Sequence, residues 1–388
     1  MNLSKSKVIF IFILLITIWL GYESGLRRGL LFIIAVGLGF SLYHASFGFS
    51  AAWRRFTADF DGRGLRAQML LLAIVACVAF PMISGGDVFG RNVSGFILPV
   101  GTSVIVGAFI FGVGMQLGGG CGSGTLFTVG GGNTRMILTL FGFIVGSVIA
   151  TSHVHVWHEM PGIGPVSLIK KWGWQLALMA NLTIFAVIVW FTLVLEKRRH
   201  KKLLPQTRFS STWSIRLLRG PWSLTSGACA LAVLSILVLV SAGRPWGITS
   251  AFALWGAKIA MLIGIDVTQW PYWSGWRSAS LQKSVWSDVT SMMNFGVIFG
   301  ALLASSLAGK FCPHFKISHS AIVSAILGGV LLGYGARLAF GCNIGAYFGG
   351  IISGSLHGWI WMVAGFSGSY VGTRLRPMFG LTVEKVEL

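Results

Sequence analysis

Acidic residues are nearly missing from this chain: ten Asp and Glu stand against thirty Lys and Arg in 388 residues. Charged residues of both signs make up only 10%, while 54% are hydrophobic and the mean hydropathy is +0.78. That balance excludes a soluble globular protein, which needs a charged surface. No run of carboxylates interrupts the apolar stretches, since Asp266 and Asp288 fall at span edges or in a loop, so no acidic proton path is marked. A GxxxxGK[ST] phosphate loop is also missing, which excludes ATP hydrolysis by this chain. Cysteine is scarce. The five (Cys77, Cys121, Cys229, Cys312 and Cys342) mostly sit in or beside apolar runs, which excludes an extracellular disulfide framework.

What is present instead is a series of apolar runs, each of about 17–23 residues, the length that crosses a hydrocarbon core. Ten crossings can be drawn, near 8–26, 29–46, 67–83, 96–117, 136–156, 174–195, 224–241, 291–309, 320–339 and 357–373. The fold class is therefore an all-α polytopic membrane protein. Lys5 and Lys7 before the first run look like the start of a signal peptide. No small-x-small cleavage site follows, so an uncleaved first span is expected. The formal charge of +20 does not point to nucleic acid, because its cations gather in a few loops, as the positive-inside rule requires. The densest loop, 196–221, is assigned to the cytoplasm.

Four short Gly/Ser/Thr-rich segments remain, near 47–56, 119–131, 245–260 and 341–354. They are too short or too polar to span, and each follows a full crossing, so they read as half-helices or re-entrant turns lining a cavity. One motif inside them occurs twice. Residues 112–124 read GVGMQLGGGCGSG and residues 333–345 read GYGARLAFGCNIG. A shift of 221 superposes six of thirteen positions, including Cys121 on Cys342 and Gly120 on Gly341. A weaker pairing sets Phe47–Trp53 against Trp246–Phe252, placing Gly48 on Gly247 and Ser50 on Thr249, with Ser250 following.

Each half then reads span, short segment, two spans, cysteine segment, span. Counting crossings from a cytoplasmic 196–221 loop gives an odd connector at 174–195, so the halves enter the membrane in opposite senses. The expected organisation is an extra helix at 1–28, halves at 29–156 and 224–376, a connector at 157–223 and a tail at 377–388. Inverted repeats with broken helices are how transporters build a central site. The Gly118-Gly119-Gly120-Cys121 run frees backbone N–H groups at a helix break, an anion site without a full buried charge. The thiol adds a soft, polarisable contact suited to an anion with an exposed sulfur or selenium. Gln116 and Asn343 flank the cysteines and are candidate donors to oxyanion oxygens.

Both cysteine motifs, with GGVLLGYGARLAFGCNIGAYFGG, SLHGW and GSYVGTR, resemble the YeeE/YedE family of membrane proteins. The resemblance runs from about Leu30 to Pro377. It implies an hourglass-shaped inverted repeat in which cysteines pass a sulfur-containing anion, thiosulfate above all, by S–H···S contacts. One branch of the family is linked to selenium. Cys121 and Cys342 match two of the family cysteines, whereas Gly48 stands where a third is expected. The family also implies a bacterial inner-membrane location and a small cysteine-containing sulfur-carrier protein as a cytoplasmic partner.

The expected site is thus Cys121, Cys342, Gly119, Gly120, Gly341, Asn343, Gln116, Gly48, Ser50, Gly247, Thr249 and Ser250. No enzyme activity, cofactor or metal is expected. Three other readings remain open: a transporter of a selenium compound, a membrane sulfurtransferase carrying a persulfide, which lacks an adjacent general base, and a structural membrane protein, which has no need of paired embedded cysteines. Cys77 and Cys229 read as ordinary core residues, Cys312 as an incidental edge residue, and His153 to His158 as a solvated loop. Arg337 lies within a span and reads equally as an anion attractor or as a structural cation.

Overall fold

The computed structural model describes residues 3–88, 90–205, 212–313 and 315–384. The chain opens with α1 (Leu3–Ser24), α2 (Leu26–Ala45), the short α3 (Phe49–Asp59) and α4 (Arg63–Gly85). Then come a short strand β1 (Pro99–Gly101), α5 (Thr102–Gly118), the short α6 (Gly122–Gly130) and α7 (Thr134–His158). A connector carries β2 (Gly162–Pro165), α8 (Leu168–Trp172), α9 (Trp174–His200) and α10 (Trp213–Arg219). The remainder is α11 (Leu224–Ala242), the short α12 (Thr249–Leu262), α13 (Ser278–Gln282), α14 (Val289–Leu307) and α15 (His319–Leu338). A π-helical turn (Asn343–Phe348), α16 (Gly349–Ile352) and α17 (Leu356–Leu375) complete it.

Among the described residues, nine helical segments are long and apolar enough to cross a membrane. The twenty residues of α17 reach about 30 Å at 1.5 Å per residue. That helix is less apolar because Gly365, Gly368, Ser369 and Gly372 turn inward. Capping side chains set several helix starts. Asn133, Ser223, Asp288 and Ser318 each accept a backbone N–H from the first turn that follows.

Two expected boundaries change. The crossing drawn at 96–117 begins only at Thr102, because Pro99 to Gly101 are extended and pair antiparallel with Gly162–Pro165. The histidines at 153–158 are not a loop but the last turns of α7, where His153 meets the Tyr334 hydroxyl at 2.9 Å. Of the 196–221 loop, residues 206–211 lie outside the described residues. The base of that loop is tied down: Glu196 accepts from Arg66 at 2.8 Å and from the Gly62 and Leu204 amides.

The packing is built on glycine. A Cβ on Gly114 would stand 2.8 Å from the Leu332 N and 2.9 Å from the Gly328 O. One on Gly335 would stand 2.5 Å from the Gly107 O and 2.7 Å from the Phe111 N. These are the same neighbours exchanged by the 221-residue shift. Moving along α5 from Gly107 to Gly114, the facing residue on α15 moves back from Leu338 to Gly328, so the two helices run antiparallel. Helices α2 and α11 do likewise, with Gly37 against Leu234 and Ala45 against Gly227. Small residues allow this backbone-to-backbone approach, which hydrophobic side chains would prevent.

Candidate functional site

Both repeated cysteines fall at a helix break and are fully buried. Helix α5 ends at Gly119, whose φ of 91° is the left-handed conformation that glycine adopts without strain. Phe340, the residue matched to Gly119 by the shift, also has a positive φ, 61°. A bulky residue held there marks backbone strain. The chain then turns through Cys121 (φ −85°, ψ −167°) into α6, and through Cys342 (φ −95°, ψ −170°) into the π-helical turn. In both, the cysteine carbonyl accepts the backbone N–H four residues on, from Thr125 and from Ala346, at 2.8 Å. The two cysteines are therefore matched N-caps of short helices.

The two cysteine segments lie close together. A Cβ on Gly122 would stand 3.0 Å from Cys342 Sγ and 3.4 Å from Ile248 Cγ2. Glycine at 122 is what leaves room for the second sulfur beside the first cysteine segment. Gly48 and Gly247 both border open space: Gly48 has only Ala51 at 3.7 Å and beyond, and Gly247 has nothing within 4 Å. Gly120 and Gly341, by contrast, pack tightly: a Cβ on each would stand 3.0 Å from the amide of the residue five positions on. A Cβ on Gly119 would stand 2.8 Å from a nitrogen of the Arg135 guanidinium.

The polar candidates divide. Asn343 is fully buried and both its amide nitrogen and oxygen are without a partner. Such a group is costly unless something fills it. Gln116 is committed: its amide donates to the Ser50 carbonyl at 3.0 Å and the Ser369 hydroxyl at 2.7 Å, and accepts from Arg54 at 3.2 Å. Arg337, matched to Gln116 by the shift, donates to the Thr249 hydroxyl, the counterpart of Ser50. Ser50 and Thr249 are buried, whereas Ser250 faces outward and is exposed. Cys77 and Cys229 also face outward, so they are not core residues, and Cys312 is exposed. Hydropathy does not separate a lipid-facing from a core-facing cysteine, because lipid and core are equally apolar.

Two cavities open near Gly48. One of about 470 Å³ is lined by Gly48, Ser46, Arg55, Arg63 and Arg66; its carboxylate, Asp61, accepts from Arg63 at 2.8 Å. The other, about 720 Å³, is lined by Arg135, Arg219, Lys310, Lys316 and Cys312 and has no carboxylate. They share His44, Ser46 and Pro221. A chamber of this sign concentrates anions.

Beside it the C-terminal segment folds back. Glu384 accepts from Arg54 at 2.7 and 2.8 Å, and Arg376 donates to the Gln116 carbonyl. The Arg54 hydrogen bonds hold the Glu384 carboxyl below its ordinary value, against a smaller upward push from burial. A depressed carboxylate pKa makes this contact fully present above the ordinary carboxylate range and lost as pH falls through the lowered value. Hydrogen exchange should therefore show residues 376–384 protected at neutral pH and released on acidification, and Glu384→Gln should release them at neutral pH. Equal protection in the variant would mean that the ion pair does not hold the tail.

The fold and this arrangement define a polytopic membrane protein with paired, thiol-bearing helix breaks. Residues 44–371 match the family described as Sulphur transport, and the chain belongs to that family. The YeeE/YedE resemblance is thereby borne out. The probable transporter YedE of Salmonella typhimurium is 33% identical over 178 residues, 45% of this chain. That match takes in 43% of YedE, so the chain spans less than half of this relative. The thiosulfate transporter TsuA of Spirochaeta thermophila is 25% identical over 350 residues, covering 87% of this chain and 93% of that protein. TsuA of Escherichia coli is 23% identical over 343 residues, 84% and 88% of the two chains.

Proposed function

We propose that this protein carries a small sulfur-containing anion, of the thiosulfate type, into the cell past Cys121 and Cys342. The observation that carries the reading is the matched pair of fully buried thiols, with Cys342 Sγ seated against Gly122 of the other cysteine segment. Beside the second thiol lie the open space at Gly247 and an unpartnered Asn343 amide. Thiols favour a substrate with a soft terminal sulfur over one with oxygens alone. The names of the TsuA relatives support the same substrate class.

In this reading, 29–156 and 224–376 are halves related by a two-fold axis in the membrane plane, and the connector is 157–223. Antiparallel α5 and α15 support it. The protein sits in the bacterial inner membrane with the 196–221 loop and C-terminus in the cytoplasm. The basic chamber then faces inward, where it receives the anion and offers a docking mouth for a small cysteine-containing sulfur carrier.

The test is uptake by vesicles reconstituted with the purified protein, comparing thiosulfate, sulfite, sulfate and selenite. Thiosulfate should enter fastest; equal rates for thiosulfate and sulfate would sink the reading. Gly48 adds a sharper expectation, since it borders open space and lines the inner cavity. Gly48→Cys places a third thiol there and should raise the thiosulfate-to-sulfate ratio, by about threefold for a soft contact of roughly 0.7 kcal/mol. An unchanged ratio in a well-expressed variant means that this position does not touch the ion.

A further inference from the structure

We infer that Arg337 is the fixed positive charge of an oxyanion-binding site next to Cys342, and that the anion completing its charge is the transported one. The inference rests on the transport reading above and assigns the oxygen end of the substrate. Arg337 lies in the last turn of α15 and is only 7% exposed. A guanidinium stays charged at every physiological pH, and burying it without an opposite charge is strongly unfavourable. Its partners are nevertheless neutral: Nη1 donates to the Tyr272 hydroxyl at 3.0 Å and Nη2 to the Thr249 hydroxyl at 2.5 Å. Nε is buried with no partner.

No carboxylate among the described residues pairs with it. The four ion pairs there belong to Arg54, Arg63, Arg66 and Arg199. Asp266 is turned to Thr268, and Asp288 caps α14 through Ser291. A second cation, Arg277, stacks at 4.6 Å on the ring of the same Tyr272 whose hydroxyl Arg337 contacts, which adds to the positive potential. The other half behaves differently. Its matched residue, Gln116, is neutral, and the adjacent Arg54 has the Glu384 carboxylate. Among the described residues, Arg54 beside Gln116 has a carboxylate partner and Arg337 has none.

The surrounding geometry suits an oxyanion. Two more buried groups lack partners, the Asn343 amide and the Trp246 indole N–H. Asn343 follows Cys342 directly, and Trp246 precedes Thr249 by three residues. The two segments meet at Gly247, whose Cα would be 4.0 Å from a Cβ on Gly345, with open space around Gly247 itself. A dianion there places its oxygens on Arg337, Asn343 and Trp246 and its terminal sulfur toward the Cys342 thiol. Arginine's planar fork suits such oxygens better than a lysine point charge.

The experiment is thiosulfate uptake by vesicles holding the full-length protein, with sulfate as a competitor that carries the oxygens but not the sulfur. Arg337→Gln should raise the KM for thiosulfate by about tenfold or more, with the maximal rate changed far less, and should raise the sulfate Ki by a similar factor. Arg337→Lys should fall between it and the parent. Cys342→Ala should weaken thiosulfate uptake while leaving the sulfate Ki in place, which separates the two ends of the anion. Thermal stabilisation of detergent-solubilised protein by sulfate reads the same site without transport, and Arg337→Lys should reduce it if Arg337→Gln fails to fold. Unchanged KM and Ki in a folded Arg337→Gln, or undiminished sulfate stabilisation in Arg337→Lys, would overturn the inference. Failure of the parent protein to take up thiosulfate would instead remove the transport reading.

Discussion

Cys121→Ala and Cys342→Ala are each expected to lower thiosulfate uptake by at least about tenfold, as a rise of roughly 1.4 kcal/mol in the barrier requires. Both side chains are fully buried at matched helix breaks, so each substitution removes a soft contact where an ion must shed its water. The change is small in volume and leaves Gly122 and Gly124 in place, so helix packing should survive. Cys77→Ala and Cys229→Ala provide the comparison, because those side chains face outward. Their uptake should stay within about twofold of the parent, as for other exposed substitutions. Equal losses from all four, measured at equal protein per vesicle, would assign the effect to folding and not to a thiol relay.

The spans and their breaks were legible in the sequence because both depend on local properties. Hydropathy over twenty residues marks a crossing, and a glycine run before a cysteine marks where it stops. The 221-residue repeat was legible too, down to neighbours that exchange between Gly114 and Gly335. Which side of a helix faces inward was not. Cys77 and Cys229 sit in stretches, 69–80 and 227–234, that hold only apolar residues and glycine, with no polar face to orient them. Thr249 and Ser250 are adjacent hydroxyls, yet only the first turns inward, where Arg337 reaches it across 88 residues.

Long-range polar pairing was equally hidden. Gln116 looked available beside a cysteine motif, but Ser50, Arg54 and Ser369 occupy its amide. Nothing near Glu384 in the chain indicates that it meets Arg54, 330 residues away. Arg337 stood out in the sequence as an ionised residue inside an apolar span, but its role as anion attractor or structural cation was open there. What the sequence lacked was its partners, the neutral Tyr272 and Thr249 hydroxyls, which lie 65 and 88 residues away in the chain.

The glycines divide into two functional kinds, and substitution should separate them. A Cβ at Gly112 would stand 2.1 Å from the Gly365 O, and one at Gly333 would stand 2.2 Å from the Phe143 O. Each obstacle is the backbone of a packed helix, which cannot swing aside as a flexible side chain can. Gly112→Ala and Gly333→Ala should therefore force α5 from α17 and α15 from α7, costing about 1–3 kcal/mol or more each. The expected readout is a lower melting temperature and a large loss of monodisperse protein on size exclusion in detergent, for both variants alike. Gly48 and Gly247 have room for a methyl group, with nothing nearer than 3.7 Å and 4 Å respectively. Gly48→Ala and Gly247→Ala should melt like the parent while slowing uptake, because the methyl fills space that the ion needs and not space that the fold needs. Parent-like melting of Gly112→Ala and Gly333→Ala would mean that the close helix approach is not what holds these helices together. Normal uptake by Gly48→Ala and Gly247→Ala would place the ion elsewhere.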